Sequence, residues 1–313
     1  MGWIFGLYSK QSLSSEKKKD IESFLPSPHI KSSNSHILIS YLKSTNTYFK
    51  DDKKWLVNGV GISASSSIYS WMQYKEWMEY QDGINSFKAT GHFLRINWSD
   101  KSITIQSDVV GLKTVYLLKR GTDIYFSTSL QMILNFVENP KLDFLAFGSK
   151  WLLYNQLVSR SVFKDIFKLS PNSKVTIENG DYKVDENVWI PEIKNYSTET
   201  FWNDLHNLLE IKIPENYKLS LGLSGGFDSR IILALLHKSK KEFFVHTFGF
   251  EYEPDVQIAQ MICSALNIKH QLLLSDFKDK VFTELLPVYL FENELVEPVS
   301  TFLRLYKLND SYF

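Results

Sequence analysis

The sequence predicts an α+β domain followed by an α/β domain, and three observations carry that division. Up to about residue 190, short runs rich in β-branched and aromatic residues recur between turn signals, at 37–42, 91–97, 102–107, 114–118, 123–127 and 173–178. That is the pattern of antiparallel sheets. From Asn195 onward the pattern changes: strand-like runs at 217–223, 243–248 and 269–274 alternate with helical patterns at 201–210, 230–237 and 255–266. Such alternation implies βαβ units and a parallel sheet. Residues 191–200 are polar and read as a linker, which sets the expected domains at 1–190 and 197–313.

Within the first domain, residues 10–35 are rich in Ser and Lys and read as a helix or a mobile surface excursion with a solvated charged face. Apolar residues recurring at three and four predict helices over 68–80 and 143–158. Gly121-Thr122-Asp123 and Asn179-Gly180 are suited to hairpin corners, because Gly and Asn tolerate positive φ. Antiparallel sheets with packed helices satisfy all of these signals.

The composition excludes several classes of function. Lys+Arg and Asp+Glu both total 35, so bulk charge favours neither nucleic acid nor an acidic membrane surface as a partner. A hydrophobic share of 44%, with 22 Phe, 16 Tyr and 8 Trp, suits a bulky globular core. The single cysteine, Cys263, excludes an intramolecular disulfide framework and a cysteine-clustered metal site, and its helical pattern suggests a buried, inert thiol. No run approaches the ~18 apolar residues of a membrane span. The apolar start is too short for a secretory signal and its charges follow it. Gly2 invites a myristoylation reading, but Gly6 stands where that motif needs Ser or Thr. A cytoplasmic protein is expected.

The chemistry concentrates in Leu223-Ser224-Gly225-Gly226-Phe227-Asp228-Ser229, placed where a strand ends and a helix begins. Two glycines let the chain turn tightly and bring its amides close to an anion. The following helix aims unpaired N–H groups and its positive dipole end at the same point. Ser224 and Ser229 add hydroxyls. Asp228 opposes a bare phosphate, so a carboxylate here suggests a Mg²⁺ ion between it and the phosphate oxygens. The loop lacks the lysine of a P-loop and the spacing of a dinucleotide fingerprint. The bland alternative is a Gly-rich turn with no ligand; five fixed identities arise by accident on the order of once in a few thousand such chains.

At these residues the sequence resembles the asparagine synthetase family, in which a Ser-Gly-Gly-x-Asp-Ser loop grips the pyrophosphate of ATP. The resemblance extends to His246-Thr247-Phe248-Gly249-Phe250, to Pro254-Asp255 and to Glu297-Pro298. Upstream it includes Gly91-His92-Phe93, Asp108-x-x-Gly111-x-Lys113 with Tyr116, Phe126-Ser127-Thr128-Ser129, Phe167-Lys168-Leu169-Ser170-Pro171 and Val188-Trp189. It implies an Ntn-hydrolase-like glutaminase domain followed by an ATP-pyrophosphatase domain. It also implies an ATP- and Mg²⁺-dependent ligase that activates a carboxylate as an acyl-adenylate. Leu223, Ser224, Gly225, Gly226, Asp228, Ser229 and Phe250 would then bind nucleotide, Asp228 holding the metal and the backbone near Phe250 flanking the adenine with Leu223.

Two departures qualify the resemblance. The family's glutaminase begins Met-Cys-Gly-Ile-Phe-Gly with a nucleophilic cysteine, whereas this chain begins Met1-Gly2-Trp3-Ile4-Phe5-Gly6. Glycine offers no side chain to attack a glutamine amide, and no Arg-Gly-Pro-Asp stretch follows to hold glutamine. This points toward members such as β-lactam synthetases and lasso peptide cyclases, which use an amine already on their substrate. The family's later Ser-Gly-x-Gly-x-Asp-Glu loop and the lysine beyond it are also missing. The expectation is therefore a fragment, a truncated gene product or one half of a split enzyme whose C-terminal half another chain supplies, and in each case a chain inactive alone. A glutamine- or ammonia-dependent asparagine synthase and a non-catalytic binding partner are the alternatives. The sequence assigns no catalytic residue and leaves the carboxylate and amine substrates open.

Overall fold

The computed structural model describes residues 2–27, 29–65, 68–81, 88–153, 160–187, 190, 197–215 and 217–274. The described chain divides into two compact units, one built from residues up to 64 and 72–190, the other from 65–71 and 197–274.

The first unit contains two antiparallel sheets. One runs in the order Ile166–Lys168 (β11), Tyr116–Arg120 (β9), Asp123–Ser127 (β10), Ile4–Ser9 (β1), Ile37–Tyr41 (β3) and Ile30–Ser33 (β2). The other runs Asp181–Glu186 (β13), Ser173–Glu178 (β12), Ser102–Ser107 (β8), Lys88–Trp98 (β7), Trp55–Ser65 (β5) and Thr47–Lys50 (β4). Side chains alternate across each strand, and that alternation assembles the layers. Ile4, Ile37, Ile39, Ile124 and Phe126 of the first sheet meet Leu56, Leu94, Ile103, Ile105 and Val175 of the second in one core. The opposite residues of the first sheet, Phe5, Leu7, Leu38 and Leu118, pack with residues of helices Ser15–Ser23 (α1) and Leu130–Leu134 (α3). Phe147 of Phe144–Leu153 (α4) joins that cluster. Trp77 of Tyr74–Gln81 (α2) covers Trp55, Val57 and Phe93 on the outer face of the second sheet. The unit is thus layered helices, sheet, sheet, helix.

Several expectations change on this frame. Of the two readings of residues 10–35 the helix holds, as α1; the stretch is not a surface excursion, since it also forms β2 and buries Leu13, Ile21 and Leu25. The helix expected over 68–80 is a strand, Ile68–Trp71 (β6), followed by the shorter α2. β-Branched and aromatic residues at 68–71 favour the extended chain over the helical period. The strand expected at 114–118 is shifted to β9, and its corner narrows to Gly121 and Thr122. The expected corner at Asn179-Gly180 forms, with φ of 53° and 78°. Asp108 is buried, and its carboxylate accepts the N–H groups of Val110, Leu112 and Lys113 at 3.0–3.1 Å. The Asp-x-x-Gly-x-Lys stretch is therefore a self-bonded bend. Val188-Trp189 and residues 154–158 of the expected helix lie outside the described residues.

The second unit holds β6, Thr198–Leu209 (α5), Ser220–Gly222 (β14), Phe227–Ser239 (α6), Phe244–Gly249 (β15), Pro254–Ala265 (α7) and His270–Leu274 (β16). β14, β15 and β16 pair in parallel, in that order. Leu223, Leu233, Val245, Ala259 and Cys263 form the core, so the thiol is buried and burial raises its pKa. The linker ends earlier than expected, because Ser197 caps α5 by accepting the N–H of Thr200. Residues 191–196 of that linker, Glu297-Pro298 and everything after residue 274 lie outside the described residues. No helix among the described residues is long and apolar enough to cross a membrane.

Candidate nucleotide-binding site

β14 and β15 run side by side and release their chains at the same end of the sheet, where open parallel sheets bind ligands. The chain leaving β14 is held at once: the Leu223 N–H donates to the His246 carbonyl at 2.8 Å. The Leu223 carbonyl accepts the Thr247 hydroxyl at 2.6 Å. The Gly-rich turn follows, and Gly226 becomes the N-cap of α6 without a side-chain cap. The first-turn amides of this 13-residue helix therefore face outward with no internal partner.

The loop braces itself through its two serines. The Ser224 N–H donates to Ser229 Oγ at 3.2 Å, the two hydroxyls lie 3.1 Å apart, and the Gly226 N–H donates to Ser224 Oγ at 3.2 Å. Ser229 Oγ also lies 3.1 Å from the Ser224 carbonyl and 3.2 Å from that of Gly226. Each hydroxyl has one proton for these acceptors, so it can turn from the loop toward an incoming anion with little loss.

Beside the loop is a cavity of about 260 Å³, lined by Gly222, Leu223 and Ser224 from one strand exit, His246, Thr247 and Phe248 from the next, and Asp255. Ligand pockets usually span roughly 300–1,000 Å³, so this space suits part of a nucleotide and not all of it. Leu223 and Ser224 line it as well as forming the predicted loop. Gly225, Gly226, Asp228 and Ser229 border the turn outside that lining. Asp228 is exposed in the first turn of α6. Phe250 follows β15, also outside the lining, and its ring stacks on Tyr252 at 5.5 Å and 6°.

The sequence reading did not single out three further groups as site residues. Arg230 reaches back to the loop, its Nε donating to the Gly226 carbonyl at 3.2 Å. Asp255, at the start of α7, faces Gly225 so closely that a Cβ there would lie 2.6 Å from its Oδ1. His246 is buried in the cavity wall with Nδ1 2.9 Å from the Ser220 hydroxyl. Its pKa is lowered by burial and then by the neighbouring His270, so His246 itself is neutral at pH 7. His246 and Asp255 are distant from the turn in sequence and reach it through the pairing of the parallel strands, whereas Arg230 bonds Gly226 from four residues on in α6.

A larger cavity of about 450 Å³ opens near the starts of the same strands, where Leu219 and Phe244 line it. It is the weaker candidate. Its Lys241 ammonium is committed to the carbonyls of Leu209 and Ile211, and no Gly-rich turn presents amides to it.

No curated protein matches the chain. Among solved structures it is similar to glutamine phosphoribosylpyrophosphate amidotransferase from B. subtilis complexed with ADP and GMP. That match has 9% identity, a TM-score of 0.28, and covers 88% of this chain and 59% of the other. A second structure, that of the allosteric regulatory enzyme of purine biosynthesis, has 9% identity, a TM-score of 0.27, and coverage of 90% and 63%. The chain thus spans about three fifths of the length of these structures. Residues 213–305 match the asparagine synthase family model, a segment that contains the Gly-rich turn, the cavity and all three parallel strands.

Proposed function

We propose that the turn at residues 224–229 binds Mg·ATP and that the complete protein is an amide-forming ligase of asparagine synthetase type. The observation that carries this is the family match over the segment in which the Gly-rich turn joins a parallel strand exit to an uncapped helix start. The first-turn amides and the hydroxyls of Ser224 and Ser229 would hold the pyrophosphate, with Leu223 and the backbone near Phe250 beside the adenine. Arg230 adds a guanidinium at the same corner.

The donor set fits Mg²⁺. Asp228 and Asp255 are hard oxygen donors at the turn, of the kind Mg²⁺ takes beside waters and phosphate oxygens. Asp228 would hold it, and the bound ion would neutralise charge on the phosphates. In the proposed reaction a carboxylate oxygen attacks the α-phosphorus and the bond to the bridging oxygen breaks. Pyrophosphate leaves with that electron pair, and an amine then displaces AMP to form the amide. The protein's share is positioning and preplaced donors.

The amine is proposed to come from a source other than glutamine. The layered first unit would be a glutaminase-like domain kept as a scaffold, with domains at 1–190 and 197–313. Gly2 supports this: a Cβ there would sit 2.9 Å from Asn58 Nδ2, 3.0 Å from Ser44 Oγ and 3.2 Å from the Leu42 carbonyl. The space a nucleophilic side chain needs is taken by polar groups. Calorimetric titration with Mg·ATP, followed by a pyrophosphate-release assay across carboxylates, tests the proposal. Absence of nucleotide binding by the unaltered chain would sink it.

A further inference from the structure

A chain of three polar groups runs behind the turn, from β16 through β15 to the exit of β14. The Thr247 hydroxyl lies 2.6 Å from the Leu223 carbonyl and 2.9 Å from His270 Nε2. A carbonyl can only accept, so the single hydroxyl proton goes to Leu223. Thr247 Oγ1 is then the acceptor for His270, and Nε2 must carry a hydrogen. Burial lowers the His270 pKa, so the ring is neutral at pH 7, its one proton is on Nε2, and Nδ1 is bare.

The peptide between Leu223 and Ser224 is thereby gripped at both ends. Its carbonyl takes the Thr247 hydroxyl, and its N–H donates to Ser229 Oγ at 3.2 Å. This peptide is the hinge by which the strand enters the turn, so its plane sets the direction of the amides that follow. We propose that His270 and Thr247 are positioning residues for the turn, His270 acting through the Thr247 hydroxyl to hold the Leu223–Ser224 peptide in its anion-binding orientation. The inference rests on the nucleotide-binding reading above. It also explains a polar pair between parallel strands, where apolar residues are usual.

The test uses the full chain and Mg·ATP titrated by calorimetry. Thr247→Val keeps the shape and removes the relay; affinity falls about threefold to tenfold, the worth of one hydrogen bond. Thr247→Ser restores the hydroxyl and recovers most of the affinity, which a purely packing role would not produce. His270→Phe weakens binding by a similar factor even where Thr247 is intact. Two-bond ¹⁵N–¹H correlation spectra of the unaltered chain show His270 protonated at Nε2. Equal affinity in wild type and Thr247→Val, with wild type binding, overturns the positioning role alone, as does a His270 proton on Nδ1. No binding by wild type overturns both this inference and the reading beneath it. If Thr247→Val is unfolded by circular dichroism, the His270→Phe titration and the spectra decide.

Discussion

Gly225 and Asp255 are opposed so tightly that a methyl group on the glycine would lie 2.6 Å from Asp255 Oδ1 and 3.1 Å from Ile258 Cδ1. The turn after β14 and the start of α7 are thus fitted to each other across the mouth of the cavity. Glycine is required here by close approach, since its φ is not in the left-handed region.

Gly225→Ala should weaken Mg·ATP binding by displacing the Asp255 carboxylate or the turn. In Asp255→Ala the same methyl meets less, so the two changes should be non-additive, with coupling of ~0.5–3 kcal/mol for residues in contact. A double-mutant cycle of calorimetric affinities measures it. Strict additivity would mean that the two residues do not share the site.

Asp228→Asn should remove the Mg²⁺ dependence of nucleotide binding and cost ~1–3 kcal/mol, the range for interactions of charged groups. Titrating ATP with and without Mg²⁺ against wild type and variant decides it. Equal Mg²⁺ dependence in both would show that Asp228 is not a ligand.

Gly2→Cys should not create glutaminase activity and should lower stability by ~1–3 kcal/mol through overpacking. The added Cβ meets Asn58 Nδ2 at 2.9 Å, and Asn58 Nδ2 already donates to Thr47 Oγ1 at 3.0 Å. Ammonia release from glutamine above a no-enzyme control, together with an unchanged denaturation midpoint, would contradict this.

Stability should fall as pH drops below the ordinary histidine value of 6.5, because His246 and His270 both titrate lower in the folded chain. Between 6.5 and the lowered values the unfolded chain binds more protons, so their contribution is full above this window and lost through it. His246→Gln and His270→Gln should flatten that slope in urea midpoints measured from pH 7.5 to 5. An unchanged slope in the double variant would place the acid sensitivity elsewhere.

Local chemistry made much of this protein legible from its sequence. Residues 221–237 announce a strand, a Gly-rich turn and a helix because glycine, serine and an apolar helical period act over a few residues. The βαβ alternation after 197 and the corner at Asn179-Gly180 are local in the same way. β1 was not legible as a strand, since Ile4, Phe5, Leu7 and Tyr8 are buried on both faces and the alternation that marks a half-exposed strand is lost. The turn's own residues could be named in advance, but its surroundings could not. Asp255 against Gly225 and the His270–Thr247–Leu223 chain exist only because three parallel strands bring their ends together. Backbone turn chemistry is encoded within a handful of neighbours. Side-chain convergence across strands some 25 residues apart is decided by register and packing, and these belong to the tertiary structure.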